Sequence, residues 1–377
     1  MSGQLDVDIC VIGAGSGGLS VAAGASQMGA AVALVEKGEM GGDCLNTGCV
    51  PSKSMIAAGH VAQAVHEASA FGIHAELERV DHSGVHQHVH EVIAAIAPND
   101  SQERFERLGV QVLRAAGHFA DARTLQAGDT TIRAKYFVLA TGSSAFVPPI
   151  DGLDGIDYFT NENIFDNRES IEHLIVIGGG PIGMELAQAH RRLGSQVTVM
   201  EIDRLLPKDD PDLARIVVER MRSEGVAFHE GGRELKLQNT EAGIIASCIT
   251  ADGPKRVAGS HLLIATGRKA NVDDLNLEAA GVRYSAKGVE VNTHLRSCNR
   301  RIYAIGDVAG PYQFTHMAAY QAGIVIRNIL FKLPARVDYS AVPWVTYTDP
   351  ELAHVGMSQK EAESKGVDIR VLTWPFS

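Results

Sequence analysis

Short apolar runs alternate with glycine-rich turns along this chain, and the whole pattern occurs twice. Residues 8–37 read DICVIGAGSGGLSVAAGASQMGAAVALVEK, and residues 173–202 read HLIVIGGGPIGMELAQAHRRLGSQVTVMEI. Each stretch has an apolar run, a glycine cluster, a helical stretch ending in glycine, and a β-branched run closing on glutamate. Continuous apolar runs of this length suit strands buried on both faces of a parallel sheet. Each stretch is therefore predicted to be a β-α-β unit. Each is answered by a later strand ending in Ala-Thr-Gly: YFVLATG, with Ala140, Thr141 and Gly142, and LLIATGR, with Ala265, Thr266, Gly267 and Arg268. Between them, prolines and glycines in VPPIDGLDGI favour an extended crossover. Residues 61–110 pattern mostly as helix, and another helix is expected around 315–331. A β-rich region starts at Asp338 with DYSAVPWVTYTDPEL, and DIRVLTW is expected to form a further strand.

Length and composition narrow this picture. At 377 residues, the chain exceeds the ~250–300 residues at which single cores stop growing, so two or more domains are expected. The net charge of −11, with basic residues scattered, gives no nucleic-acid footprint. No apolar run approaches the ~18 residues of a membrane span. The N-terminus lacks the basic region of a secretory signal. The five cysteines, Cys10, Cys44, Cys49, Cys248 and Cys298, do not form the framework of a secreted disulfide scaffold. A cytoplasmic protein without nucleic-acid or membrane partners is expected, in which any disulfide is a redox device.

The glycine clusters carry a recognisable chemistry. In the first, Gly13 permits the tight turn, Gly15 lets backbone approach a pyrophosphate, and Gly18 allows close helix–strand packing. The helix N-terminus adds partial positive charge for phosphates. Glu36 ends the next strand, placed to accept from ribose hydroxyls. Gly178, Gly180, Gly183 and Glu201 repeat the arrangement, and the first glycine stands 23 residues before the glutamate in both copies. A single such motif is weak, whereas two complete units are specific for dinucleotides. Glu201 repels a 2′-phosphate, which favours NAD(H) over NADP(H) at the second site, although Arg204 partly offsets that repulsion. The first site suits FAD or a second nicotinamide cofactor. A flavin beside a cysteine pair makes a redox chain, which two nicotinamides do not.

That cysteine pair lies in GGDCLNTGCVPSK, residues 41–53. On a regular helix, residues five apart have Cα atoms about 8–9 Å from each other, whereas a disulfide needs roughly 4.4–6.8 Å. A bonded pair therefore demands a distorted turn, for which Gly48 and Pro51 are suitable, with a helix running on from Pro51. The helix N-terminus would favour thiolate. Zinc is the weaker alternative, because C-x4-C is not a usual zinc spacing and no second pair exists. Inert thiols are the other alternative, but the polar, glycine-rich surroundings argue against them.

The segment GGDCLNTGCVPSK resembles the active-site signature of the class I pyridine nucleotide-disulfide oxidoreductases, a family that includes dihydrolipoamide dehydrogenases, mercuric reductases and glutathione reductases. The order of motifs is similar along the whole chain, through the second Ala-Thr-Gly to the IGD segment (Ile305, Gly306, Asp307). The resemblance implies an α/β fold of two Rossmann-like domains, with the start of an α+β interface domain. FAD would occupy residues 1–149 and 272–337, NAD residues 150–271, and the interface domain would begin at 338–377. Cys49 would be the thiolate facing the flavin and Cys44 the interchange thiol. Lys53 would lie near the flavin, buried and paired with Glu185. Gly42, Lys53, Gly117, Ala140, Thr141, Gly142 and Asp307 would complete the FAD site, and Gly267 the NAD site. Asp43 departs from the family, which usually has Thr there.

The resemblance also implies the reaction. Electrons would pass between NAD(H), FAD and a Cys44–Cys49 disulfide, as in dihydrolipoamide dehydrogenase. Mercuric reduction and an incomplete, catalytically silent cofactor-binding fragment are the alternatives. The acceptor would be a small disulfide or dithiol, or a metal ion. Glutathione is disfavoured, because Ala23 and Gly24 stand where glutathione reductases carry arginines. The full-length family member would be a homodimer whose acid–base His-Glu pair lies beyond Ser377. In DHSGVHQHVHEV, His82, His86, His88 and His90 offer a metal-binding alternative, but an exposed helix face is the simpler reading and no metal is expected.

Overall fold

The computed structural model describes residues 3–375. The first repeat gives β1 (Gly3–Ile12), α1 (Ser16–Gln27) and β2 (Val32–Glu36). Helices α2 (Gly42–Asn46), α3 (Cys49–Glu67), α4 (His82–Ile96) and α5 (Gln102–Arg107) follow. Strands β3 (Val110–Arg114), β4 (Gly117–Asp121), β5 (Thr124–Ala127) and β6 (Thr130–Leu139) lead to the short β7 (Ser143–Ala145). The second repeat gives β8 (His173–Ile177), α6 (Pro181–Arg192) and β9 (Gln196–Met200), then α7 (Pro211–Ser223) and β10 (Ala227–His229). An antiparallel meander follows, β11 (Arg233–Thr240), β12 (Gly243–Thr250) and β13 (Gly253–Gly259), and then β14 (His261–Ile264) and β15 (Arg268–Ala270). The chain returns through β16 (Tyr284–Ser285), β17 (Gly288–Val289), β18 (Ile302–Ala304) and α8 (Thr315–Leu330). A hairpin, β19 (Pro343–Thr346) and β20 (Leu352–Val355), and α9 (Gln359–Ser364) complete it.

Two sheets organise the molecule, each with the parallel core that its β-α-β repeat requires; in the first, β4 and β5 add an antiparallel edge. In the first the order is β3-β2-β1-β6-β5-β4, with β18 also pairing with β6. The second has the order β10-β9-β8-β14. The apolar runs fill both cores: Ile9, Leu34 and Phe137 in the first sheet, and Leu174, Ile175 and Leu263 in the second, are fully buried. Truncating one such residue to alanine costs about 2–5 kcal/mol, because a cavity replaces packed atoms. Residues 272–309, far along the sequence, pack back onto the first sheet.

Residues 61–110 are mostly helical, as expected, with 72–81 irregular between α3 and α4. Two local expectations need correction. The strand expected at DIRVLTW is irregular and exposed over 368–374. Alternation alone does not hold a strand without a partner, and no partner strand lies beside it among the described residues. Helix α3 begins at Cys49 rather than at Pro51. The crossover VPPIDGLDGI docks on β11, where the Leu237 amide donates to the Asp151 carbonyl at 2.8 Å.

The segment around the β19–β20 hairpin is fastened to one face of α6. Glu185 accepts from the Tyr347 amide at 2.8 Å, Gln188 accepts from the Asp349 amide at 2.8 Å, and Arg192 donates to Asp349 at 2.7 Å. Positions i, i+3 and i+7 share a helical face, so three side chains of one helix grip one loop.

Candidate functional site

Both glycine turns are built the same way, and the structure shows why each needs its Ala-Thr-Gly. A Cβ on Gly13 would lie 2.3 Å from the Ala140 carbonyl oxygen, and one on Gly178 would lie 2.4 Å from that of Ala265. The neighbouring strand therefore closes against bare backbone. Gly18 and Gly183 are held as tightly, with Cβ positions 1.9 and 2.1 Å from the Gly13 and Gly178 oxygens. Glu36 accepts from the Ala14 amide at 2.6 Å and the Gly38 amide at 2.6 Å. Glu201 likewise accepts from Gly179 at 2.6 Å and Asp203 at 2.9 Å. Each acid therefore pins its own turn. No side chain caps α1 or α6, which leaves first-turn amides for a ligand's phosphates.

FAD fits the first crevice. Gly15 forms a backbone bridge with Gly41, and a Cβ on Gly42 would stand 2.7 Å from the Gly15 Cα. Bare backbone thus lines the crevice from two segments. Thr141 bonds the Asn271 carbonyl at 2.7 Å, and Gly142 turns at φ +69°. Asp307 accepts from the Ser143 hydroxyl at 2.5 Å, while its Oδ1 has no protein donor among the described residues. Burial pushes its carboxyl pKa up, and the free Oδ1 is open to a hydroxyl-bearing ligand. Gly117 begins β4 and packs against Val35, one residue before Glu36, at the edge of this crevice. Gly267, at φ +129° with open space around it, sits at the mouth of the second crevice.

The thiols follow directly from the first turn. The Gly41 amide donates to the Ala14 carbonyl at 3.0 Å, and Gly41 adopts φ +90° ahead of α2. Cys44 lies in α2 and Cys49 is the first residue of α3, so Thr47 and Gly48 break what would otherwise be one helix. Only glycine fits at the break, where a Cβ would meet Asp43 Oδ2 at 2.6 Å. Both cysteines are free thiols in this structure, close enough for each to shift the other's pKa.

Their ionisation is driven apart. The hydrogen bond from Cys44 is the largest influence lowering the Cys49 pKa, to about 6, helped by Thr315 and by the charge of Lys53. Desolvation and the Asp43 carboxylate oppose this shift. The Cys44 pKa is raised, first because its thiol donates to Cys49 and second by burial. These shifts favour negative charge on Cys49 and a retained proton on Cys44. The Thr315 hydroxyl lies 3.3 Å from the Cys49 sulfur.

Lys53 reaches Glu185 Oε2 at 2.8 Å, across the two halves of the molecule. Its ammonium also lies 4.4 Å from the centre of the Tyr347 ring. The expected burial of Lys53 does not hold: its side chain is 38% exposed while that of Glu185 is 7% exposed. The pair therefore serves chiefly to keep the buried carboxylate partnered.

Thr315, Arg268, Asn161 and Ser143 belong to this neighbourhood without having been singled out from the sequence. Asp43 accepts from Arg268 at 3.0 Å and from Asn161 at 3.2 Å, tying the thiol loop to the second half. Arg268 also donates to the Ser143 hydroxyl at 2.7 Å. Its place directly after the second Ala-Thr-Gly was the available signal. By contrast, the histidines of α4 form no metal cluster among the described residues. His86 and His90 stack with ring centres 3.9 Å apart, and His90 is also tied to the His86 carbonyl.

The family description "pyridine nucleotide-disulphide oxidoreductase" matches residues 7–322, and the dimerisation domain of that family matches residues 342–377. The chain belongs to the class I pyridine nucleotide-disulfide oxidoreductases. It is 35% identical over 375 residues to a mercuric reductase of Staphylococcus aureus, spanning 98% of this chain and 68% of that protein. A mercuric reductase of Bacillus cereus is 33% identical, and the chain spans 99% of itself and 60% of that relative. A dihydrolipoyl dehydrogenase of Bacillus subtilis is 32% identical over 98% of this chain and 81% of the relative. Among solved structures, the HOCl-induced flavoprotein disulfide reductase RclA of Escherichia coli matches with a TM-score of 0.85 at 26% identity, over 98% of this chain and 81% of that one. This family of oxidoreductases is FAD-dependent, and no helix among the described residues is long and apolar enough to cross a membrane.

Proposed function

We propose that the chain is an NADH-linked disulfide oxidoreductase of the dihydrolipoamide dehydrogenase type, with Cys44 and Cys49 as its redox pair. The opposed pKa shifts of Cys44 and Cys49, set on either side of the break between α2 and α3, carry this reading. FAD, when bound, supplies a two-electron relay between nicotinamide and sulfur. The net reaction is NADH, a proton and the Cys44–Cys49 disulfide giving NAD⁺ and two thiols, or its reverse. Cys49 holds negative charge against Lys53 and the Thr315 hydroxyl. Cys44 keeps its proton and exchanges with a substrate disulfide once a base removes it. No histidine hydrogen-bonds either thiol among the described residues. The family's paired histidine and glutamate, presented by the partner subunit of a homodimer, would fill that role.

The NADH preference rests on Glu201, which holds the turn of the second crevice as a carboxylate. Arg204 is restrained from reaching a 2′-phosphate, since its Nη2 donates to the Pro207 and Asp209 carbonyls at 2.9 and 2.8 Å. Mercuric reduction is the second reading. It is favoured by the similarity to mercuric reductases, and by the exposed Cys49 thiolate, a soft ligand.

Steady-state assays of the FAD-loaded chain with NADH and either lipoamide or Hg²⁺ test the reading. Lipoamide turnover that disappears in Cys44→Ser supports it. Turnover with Hg²⁺ alone moves the assignment to the second reading. Bound FAD with neither activity leaves a silent cofactor-binding module.

A further inference from the structure

The chain carries a net charge of −11, yet one pocket of about 560 Å³ is lined by positive side chains and by no acidic one. Arg296, Arg300, Arg301 and Lys332 supply the charge, with Tyr136 and Tyr303 beside them. This pocket belongs to neither dinucleotide crevice. The first crevice opens at the carboxyl ends of β1 and β6, past Ile12 and Leu139. Arg300 and Arg301 precede the start of β18 at Ile302, and Lys332 follows the end of α8 at Leu330. Because β18 runs parallel to β6, these residues lie at the opposite end of the sheet.

The pocket is held in shape. Arg296 and Tyr303 form an antiparallel backbone bridge. The Ser297 amide donates to the Ile302 carbonyl at 2.9 Å and the Ala304 amide to the Leu295 carbonyl at 3.1 Å. Asn328 donates to the Ala335 carbonyl at 3.1 Å, and Lys332 donates to the Tyr136 hydroxyl at 3.0 Å. Tyr303 is buried beneath.

Its charge is also unpaired. Several surface cations elsewhere do have a carboxylate partner, as Lys135 has Asp8 at 2.6 Å, Lys269 has Asp273 at 2.7 Å and Arg283 has Glu290 at 2.9 Å. Among the described residues, none of the four pocket cations has an ion-pair partner. Like charges around one cavity repel, and a polyanion between them relieves that repulsion while gaining charge-assisted hydrogen bonds. Arginine forks suit phosphate oxygens. Cations spread over a hairpin and a helix end suit linked phosphates better than a single one. The volume falls within the ~300–1,000 Å³ of small-molecule sites. A concave pocket on an acidic chain is not the extended basic stripe that tracks a nucleic acid.

We propose that this pocket binds an oligophosphate, either free or as the phosphate chain of a nucleoside triphosphate. Calorimetric titration of the full chain, loaded with FAD and saturated with NAD⁺ so that both crevices are filled, tests it. Tripolyphosphate should bind at one site per chain, at least tenfold more tightly than orthophosphate. The double variant Arg300→Gln/Lys332→Gln, at two exposed positions, should weaken binding tenfold or more while retaining FAD and melting like the parent. Lys255→Gln/Arg256→Gln, on β13, should leave binding unchanged. ATP matching tripolyphosphate would make the phosphate chain the ligand, and tighter ATP binding with the same sensitivity would make it the nucleotide. No binding, equal affinity for orthophosphate, or equal losses in both double variants would overturn the proposal.

Discussion

The two halves of the repeat share their turn geometry and differ in what covers it. Over the first turn a second segment folds down, with Gly41 bonded to the Ala14 carbonyl and Gly42 packed on Gly15. Over the second turn Leu206 also donates to the Gly179 carbonyl at 2.8 Å, but that segment stops short of the next glycine, and a Cβ on Gly180 would meet no atom within 4 Å. A covered crevice suits a resident cofactor and an open one a cofactor that exchanges each cycle. The covering segment is also the one that carries the two thiols of the proposed redox pair. Lys53, Glu185 and the Asp43–Arg268 contact then join this covered half to the open one.

Substitutions that separate the halves sharpen this comparison. The largest effect is expected from Cys49→Ser or Cys44→Ser, which should lower disulfide turnover by roughly a thousandfold or more, since each removes an indispensable sulfur. Visible absorbance of the purified variants should show FAD retained. Next, Gly42→Ala places a side chain at φ +60° against the Gly15 backbone, at a cost of about 1–3 kcal/mol. Its FAD content should fall sharply, whereas that of Gly180→Ala should not. Equal FAD loss in both would break the comparison.

Two smaller effects concern charge. The rate of Cys49 alkylation in the reduced protein should rise with pH through about 6, as the thiolate forms. Lys53→Met removes one cause of that depressed pKa and should move the midpoint upward, while a fixed midpoint would exclude Lys53 from the thiolate's environment. Smallest, Glu201→Ala should narrow the ratio of NADH to NADPH kcat/KM by about tenfold, by removing charge repulsion. Arg204→Ala should leave that ratio nearly unchanged.

Much of this arrangement was legible in the sequence because its determinants are local. Both glycine turns, their acids and the thiol spacing are dictated by backbone sterics over a few dozen residues, and the pairing of Lys53 with Glu185 came with the motif. Contacts between distant segments were not legible. Thr315 meets Cys49 across 266 positions, and nothing around Thr315 announces a thiolate partner. Asp43 read as a departure from the family pattern, and only the folded chain shows it holding Arg268 and Asn161. The strand expected at DIRVLTW failed for the opposite reason, since a strand's partner is not written in its own alternation.

The central claim is that Cys44 and Cys49 form a disulfide that NADH reduces through the covered crevice. Counting thiols in the air-oxidised, FAD-loaded protein before and after anaerobic NADH tests it most directly. With five cysteines in the chain, the account gives a gain of two thiols per chain, absent from the Cys44→Ser/Cys49→Ser variant. No gain in the parent protein, or the same gain in that variant, would contradict it.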